Sequence, residues 1–216
     1  MKKISAPFAL FLLVGLSAPA FAEDQSTFDG GLYFSGHGLV QMLKGTNANV
    51  GGNDHHEFDP GWGATAAMGY VWAFPESPGD IRLELEGSYR KTPYDSIQWA
   101  DGTFWLVDGD LEFLTGMVNL MVDFHAGPRF VPHIGVGVGR TQIRWRDIVV
   151  TDEFGVVTAL EDAEEDVTMT QLILGLGYRL SPGLIVDTEY RLFNPNDPSY
   201  NGLMANELTV GFRMIF

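Results

Sequence analysis

Three stretches of the sequence contain charged residues that lie an even number of positions apart, nine residues in all. On a β-strand this spacing places them on one face, because successive side chains point to opposite sides. Such a face could line a narrow path for ions or form a closed network of ion pairs. Buried charges persist only when they are paired, and four arginines here accompany five carboxylates, which favours the closed network. Its predicted members are Arg82, Glu84, Glu86, Arg90, Asp187, Glu189, Arg191, Glu207 and Arg213.

A serine and a histidine two positions apart, Ser35 and His37, suggest acyl-transfer chemistry. A catalytic pair needs a base within hydrogen-bond reach of the nucleophile and a third group that orients the base. Two strand positions separate the two backbones by about 7 Å, and both side chains fall on the face that we assign to the interior. We therefore predict no catalytic residues and no enzymatic activity.

Residues 147–166 contain eight acidic side chains and no basic one. Hard divalent cations bind several oxygen ligands, so one interpretation is a cation site. The spacing fits no EF-hand loop, however, and a solvated acidic loop is the commoner explanation. We therefore predict no metal and no cofactor. The residues that would form the weaker alternative, a cation site, are Asp152, Glu153, Glu161, Asp162, Glu164, Glu165 and Asp166.

The elements that must position these residues are eight segments in which apolar and polar residues alternate. Short connections rich in Pro or Gly alternate with long ones along the chain, which is typical of the periplasmic turns and extracellular loops of a membrane barrel. We predict an all-β fold, an eight-stranded antiparallel up-and-down transmembrane barrel. Its strands are expected at 31–43, 61–74, 81–92, 111–124, 132–145, 168–180, 184–193 and 206–216, with long loops at 44–60, 93–110, 146–167 and 194–205.

The first 22 residues have the composition of a secretory signal peptide. A basic start precedes an apolar run, and Ala20-Phe21-Ala22 provides small residues for cleavage after Ala22. We therefore expect residues 23–216 to form the barrel domain. The chain has no cysteine and a formal net charge of −15, which excludes disulfides and argues against nucleic acid as a partner.

Aromatic residues recur near the ends of the apolar faces, where amphipathic rings mark the lipid–water interface of a barrel. Their positions favour lipid outside the barrel and charge inside it. The predicted interface aromatics are Trp62, Trp72, Phe74, Tyr89, Phe124, Tyr178, Tyr190, Phe212 and Phe216.

Several stretches resemble the small outer-membrane barrels often called porin-like or opacity-type surface proteins. They follow the order of that family, with His133 standing where an aromatic residue is usual. The resemblance implies an eight-stranded barrel in the outer membrane of a Gram-negative bacterium. It also implies insertion by the assembly machinery that reads a last strand ending in an aromatic residue. The stretches are 82–86 with Tyr89, 116–119, 123–124, 132–139, 175–178, 187–191 and the terminal Phe216.

The expected role is structural or interactive, of the adhesin or surface-antigen type, through four extracellular loops. A narrow porin-like channel for ions or small solutes is the alternative, and a lipid A-modifying enzyme is less favoured. The expected surroundings are outer-membrane lipid and lipopolysaccharide, and a host or surface ligand is left open. Basic residues where strands meet the long loops either contact lipopolysaccharide phosphates or are ordinary rim charges. They are Lys44, Lys91, Arg140, Arg144 and Arg146.

Overall fold

The computed structural model describes residues 30–44, 55–74, 76–98, 103–196 and 204–216. The expected signal peptide lies outside these residues. Within them, no helix has the length and hydropathy needed to cross a bilayer. The strands are β1 (Gly31–Lys44), β2 (His55–Phe58), β3 (Gly61–Trp72), β4 (Gly79–Gln98), β5 (Phe104–Phe124), β6 (Phe130–Thr151), β7 (Val157–Ala159), β8 (Ala163–Ser181), β9 (Leu184–Pro195) and β10 (Met204–Ile215).

Eight of these strands close into a ring in the order β1, β3, β4, β5, β6, β8, β9 and β10, and every pairing is antiparallel. The ring is completed where the first and last strands meet, with Gly36 opposite Phe212. A closed ring leaves no unpaired strand edge within the barrel wall. The predicted fold class, an eight-stranded antiparallel barrel, is confirmed.

The two faces of the wall invert the usual arrangement of a water-soluble protein. Apolar side chains point outward, and Leu85 at mid-strand is 60% exposed. The charged residues of the same strands point inward, and Arg213 is fully buried. A soluble barrel would bury the leucine and hydrate the arginine, so this wall is built for apolar surroundings.

The strands on one side of the barrel are much longer than the sequence predicted. β4, β5, β6 and β8 contain 20, 21, 22 and 19 residues, whereas β3, β9 and β10 contain 12 each. The predicted loops at 93–110 and 146–167 are therefore largely wrong, because the strands continue into them. The register shifts after Pro93 and after Asp108, and Asp147 has a φ of 52°. These bulges break the period-two pattern without ending the strands.

Two short strands also lie inside predicted loops. β2 pairs with β4, and β7 pairs with β6 at residues 149–151. Together with the extensions of β4, β5 and β6 they form a sheet that projects beyond the barrel ring. Residues 93–98, 103–110 and 146–162 thus form part of a protruding antiparallel sheet.

The interior is divided into two layers along the barrel axis. The charged residues occupy the end near the short turns, and an apolar cluster occupies the end near the long connections. The predicted charge network therefore occupies only the first of these layers. Its buried members are Leu43, Tyr94, Val107, Leu111, Phe113, Met117, Ile143, Ile148, Val150, Val167, Met169, Phe193 and Ala205.

A charged substitution on the outer wall tests which surface faces lipid. Val118 lies midway along the apolar outer face of β5, between Leu85 and Val138. We expect Val118→Arg to lower the free energy of unfolding by about 2–4 kcal/mol, the effect of arginine at a bilayer midplane. The measurement is reversible denaturant unfolding in lipid vesicles. Val156→Arg, in the exposed turn between β6 and β7, is the control and should change the free energy of unfolding by less than about 0.5 kcal/mol. Equal changes in both variants would contradict the assignment.

Candidate functional site

All nine residues of the predicted charge network lie inside the barrel, and none is more than 4% exposed. β4 contributes four of them at alternate positions from Arg82 to Arg90, β9 contributes three, and β10 contributes Glu207 and Arg213. The closed ring brings these strands face to face across a narrow interior. The structure therefore brings the nine together as two linked groups.

The group nearer the short turns is centred on two arginines. Arg213 donates hydrogen bonds from Nε and Nη2 to the two carboxylate oxygens of Asp187, both at 3.0 Å. Asp123 accepts from Arg213 on one oxygen and from Arg82 Nε on the other, at 2.9 Å for Arg82. Asp123 thus joins the two arginines, although the charge pattern did not identify it. It is a lone charge on the otherwise neutral inward face of β5, so no alternation marked it.

The second group belongs to the same charged layer but lies farther from the short turns. Arg191 donates to Glu86 at 2.8 Å and to Glu189 at 2.7–2.8 Å. Arg90 pairs with Glu207 through two hydrogen bonds. The guanidinium carbon of Arg90 also lies 4.3 Å from the ring centroid of Phe193. Arg90 therefore forms the boundary between the charged layer and the apolar cluster.

Four further side chains add hydrogen bonds around the carboxylates, although Glu86 Oε1 has no partner. Glu84 accepts from the Tyr33 hydroxyl at 2.9 Å and from the Asn119 amide at 2.8 Å. His133 Nε2 lies 3.1 Å from Glu189. Gln171 donates to the Asn119 oxygen at 2.6 Å. Sequence reasoning did not select these four residues for the network, although their inward positions on their strands were readable from parity.

A cavity of about 20 Å³ lies between the two layers. Arg90 and Glu207 line its charged side, and Phe113, Ile143 and Phe193 line its apolar side. This volume accommodates about one water molecule.

Ser35 and His37 are both buried in the interior, away from the outer wall. Neither Ser35 Oγ nor either ring nitrogen of His37 has a hydrogen-bond partner. The same holds for Thr65 Oγ1, on the residue directly opposite His37. At these positions the structure thus brings no base within hydrogen-bond distance of Ser35 Oγ and no orienting group to His37.

The acidic segment is an ordered part of the projecting sheet. Arg146 donates to Asp162 at 2.7 Å and to Glu164 at 2.8 Å, and Arg144 lies 3.5 Å from Glu164. The hydrogen bond from Arg146, together with one from the Asp147 backbone, lowers the pKa of Asp162. The side chain of Asp152 accepts backbone hydrogen bonds within its own turn. Glu153, Glu161, Glu165 and Asp166 are exposed.

No group of three or more acidic or histidine side chains within the described residues is placed to hold a metal ion. Among the basic rim residues, Lys91 forms a 2.8 Å ion pair with Asp110. Arg140 is exposed at the end of the apolar face of β6. For Lys44 the structure describes the backbone alone.

The nine predicted interface aromatics lie on the outer wall at two levels. Eight are exposed and Tyr178 is half-buried. Trp62 and Tyr89 approach each other near the long connections, with ring centroids 6.4 Å apart, and Tyr190 lies on the same half of β9. The other six lie near the short turns: Trp72, Phe74, Phe124, Tyr178, Phe212 and Phe216.

Comparison with known proteins adds family evidence to this geometry. A family model described as "outer membrane protein beta-barrel domain" matches residues 8–216. Outer membrane protein PagN of Salmonella typhimurium is 26% identical over 210 residues, which cover 90% of this chain and 84% of PagN.

Two solved structures share the fold at low sequence identity. Neisserial surface protein A has a TM-score of 0.51 at 13% identity, covering 86% of this chain and 97% of that chain. OprG from Pseudomonas aeruginosa has a TM-score of 0.52 at 14% identity, covering 86% and 96%. At such identities these likenesses concern the architecture alone.

Removing one interior arginine tests the energetic role of the charge network. Arg213→Met leaves Asp187 without its bidentate partner and removes one of the two arginines at Asp123. Breaking a buried ion pair from one side destabilises a protein by about 3–5 kcal/mol, and we expect a loss of that size in denaturant unfolding. Arg146→Met makes the same chemical change at a partly exposed pair that solvent screens, so a much smaller loss than that of Arg213→Met is expected. A loss below about 1 kcal/mol for Arg213→Met would refute the role.

Proposed function

Because the chain belongs to the outer membrane protein β-barrel domain family, we propose that it is a surface-interaction protein that binds partners outside the cell through its projecting sheet. It lies in the outer membrane of a Gram-negative bacterium, as its family and relatives do. The barrel serves as a closed anchor, and the extracellular connections carry the interaction.

The observation that carries this proposal is the asymmetric length of the strands. Beyond the level of the Lys91–Asp110 ion pair, β4 continues for seven residues, β5 for six, and β6 for five past Arg146, which pairs with Asp110. At about 3.3 Å per residue, this extension projects the sheet by roughly 20 Å from the apolar belt. A barrel with only a structural role in the membrane needs no such ordered projection, whereas a binding surface gains reach and rigidity from it.

The filled interior argues against the alternative function, a narrow channel. The four interior arginines are all engaged with carboxylates, so none offers a free charge to a passing ion. The apolar layer above them adds a barrier to hydrated ions. The cavity between the layers has room for about one water molecule.

Enzymatic function has equally little support. Lipid substrates would reach the outer wall, but Ser35 and His37 lie inside the barrel. A buried histidine with no orienting partner does not activate a nucleophile. We propose that the protein has no catalytic residues, no bound cofactor and no structural metal.

The remaining features fit export and insertion. We propose that residues 1–22 direct export and are removed, and that 23–216 is the mature barrel. We further propose that the barrel assembly machinery reads β10 together with Phe216, which directly follows it. The two levels of aromatic residues match the lipid interfaces, and Arg140 is positioned to contact lipopolysaccharide phosphates.

Attachment of whole cells tests the proposed role. The chain is expressed in a non-adherent Gram-negative strain, and attachment to cultured epithelial cells is counted. A variant in which an Asn-Gly linker replaces residues 147–162 should fall to the level of the empty strain while keeping heat-modifiable gel migration. Glu76→Ala on a short turn is the matched control and should attach normally. Attachment no higher than that of the empty strain for the full chain would refute the proposal.

Planar-bilayer recording tests the channel alternative. With the interior arginines paired, we expect no stable conductance steps from the purified chain. Arg90→Ala/Glu207→Ala removes one ion pair and bulky side chains beside the cavity. It should raise the frequency of brief openings without creating a lasting pore. Large, reproducible open states of the unmodified chain would favour the channel.

A further inference from the structure

The end of the hairpin formed by β6 and β7 has a free sheet edge. β7 pairs with residues 149–151 of β6, and no other described strand pairs with it. All three residues of β7 are exposed. An unpaired strand edge presents backbone groups that can bind a further strand.

The hydrogen bonds at each end of β7 show which groups face outward. Asp152 N–H donates to the Val156 carbonyl, and Leu160 N–H donates to the Ile148 carbonyl. Since antiparallel hydrogen-bonded positions alternate, Thr158 directs its N–H and C=O toward β6. Val157 and Ala159 consequently direct theirs away from the hairpin.

The turn beside this edge is held in one conformation. The Asp152 carboxylate accepts the N–H of Phe154 at 2.9 Å and of Val156 at 2.8 Å, and Gly155 N–H donates to the Asp152 carbonyl at 3.0 Å. Gly155 supplies the positive φ of 78° that the turn requires. This fixed turn leaves the Phe154 side chain 82% exposed. A preordered apolar group binds with a small loss of conformational entropy.

The charge around the edge restricts the partner. Residues 147–166 have no basic side chain, and the nearest arginine, Arg146, is neutralised by Asp162 and Glu164. Glu153 and Glu161 flank the turn and β7 and are exposed. The edge therefore attracts cationic segments and repels polyanions.

From these features we infer that β7 binds an extended, basic segment of a partner protein, which adds to the sheet as a further antiparallel or parallel strand. The backbone groups of Val157 and Ala159 form the ladder, Phe154 packs on an apolar side chain at one end, and the acidic residues bind the cationic side chains. Strand addition of this kind derives affinity from backbone hydrogen bonds and specificity from side chains. This inference rests on the proposed surface-interaction function and names its partner class.

A designed peptide tests the inference directly. The probe is a fluorescent ten-residue peptide of alternating valine and lysine, and its binding to the full chain in lipid nanodiscs is measured by anisotropy. We expect saturable binding that weakens with salt. The same peptide with alternate backbone nitrogens methylated should bind at least tenfold more weakly, because it has lost its ladder donors. A valine–glutamate peptide should not bind.

Variants of the chain separate the ladder from general charge attraction. Val157→Pro removes an outward N–H and leaves the bonds of Thr158 to β6 in place, so at least tenfold weaker binding is expected. Thr158→Val is the matched control and should bind within twofold of the unmodified chain. Glu153→Gln/Glu161→Gln should weaken binding several-fold and reduce its salt dependence. Gel migration after heating verifies that each variant is folded.

Three results would overturn the inference: unchanged affinity of Val157→Pro, equal binding of the methylated peptide, or equal binding to nanodiscs without protein. The cell-attachment assay distinguishes this failure from failure of the proposed function. If Val157→Pro cells attach normally while the hairpin replacement abolishes attachment, the edge proposal is wrong and the surface role stands. If the unmodified chain itself confers no attachment, the surface role is wrong.

Discussion

The bilayer interior offers no water to the backbone, and the rest of this structure depends on that constraint. Every N–H and C=O group at membrane depth must find a partner in the protein, so the sheet must close on itself. Pairing of β1 with β10 completes the ring. Once the apolar residues of each strand face lipid, alternation forces the intervening residues inward. An eight-stranded interior is only wide enough for side chains, and its arginines can be accommodated there only in contact with carboxylates.

Beyond the membrane the constraint is relaxed, and the architecture changes accordingly. The projecting sheet has water on its outside, so its enclosed face can be apolar as in a soluble domain. Phe58 stacks on Tyr94 with ring centroids 4.7 Å apart, and Tyr94 lies 6.2 Å from Trp145. Free edges also become tolerable there, because water satisfies their backbone groups. This explains why β7 can have an open edge while the barrel wall has none.

The local sequence pattern correctly predicted the features of the fold that depend on local geometry. Alternation gave the eight barrel strands and the parity of their faces, and Pro and Gly marked the short turns. It failed at the bulges near Pro93, Asp108 and Asp147, where the backbone changes phase but the strand continues. The network partners were also beyond its reach. Arg191 binds Glu86 across 105 positions, and that proximity depends on the register of strands that are distant in sequence. Asp123, Asn119 and Gln171 lack any charge pattern of their own, and the register of neighbouring strands brings Asn119 to Glu84 and Asp123 to Arg82. Only the closed ring brings Arg213 to Asp123.

The paired interior and the exposed hairpin are mechanically connected. β4, β5 and β6 run without interruption from the charged layer into the projecting sheet, so the ion pairs and the apolar cluster hold the base of the projection. On its outer surface, Arg146 links β6 to the segment entering β8 through Asp162 and Glu164. These contacts restrict the orientations that the hairpin can adopt. A partner strand would therefore meet an edge already ordered, and less of its binding free energy would be spent on ordering the hairpin. Under the proposed function, the closed interior that would oppose conduction also supplies the rigidity that the binding edge requires.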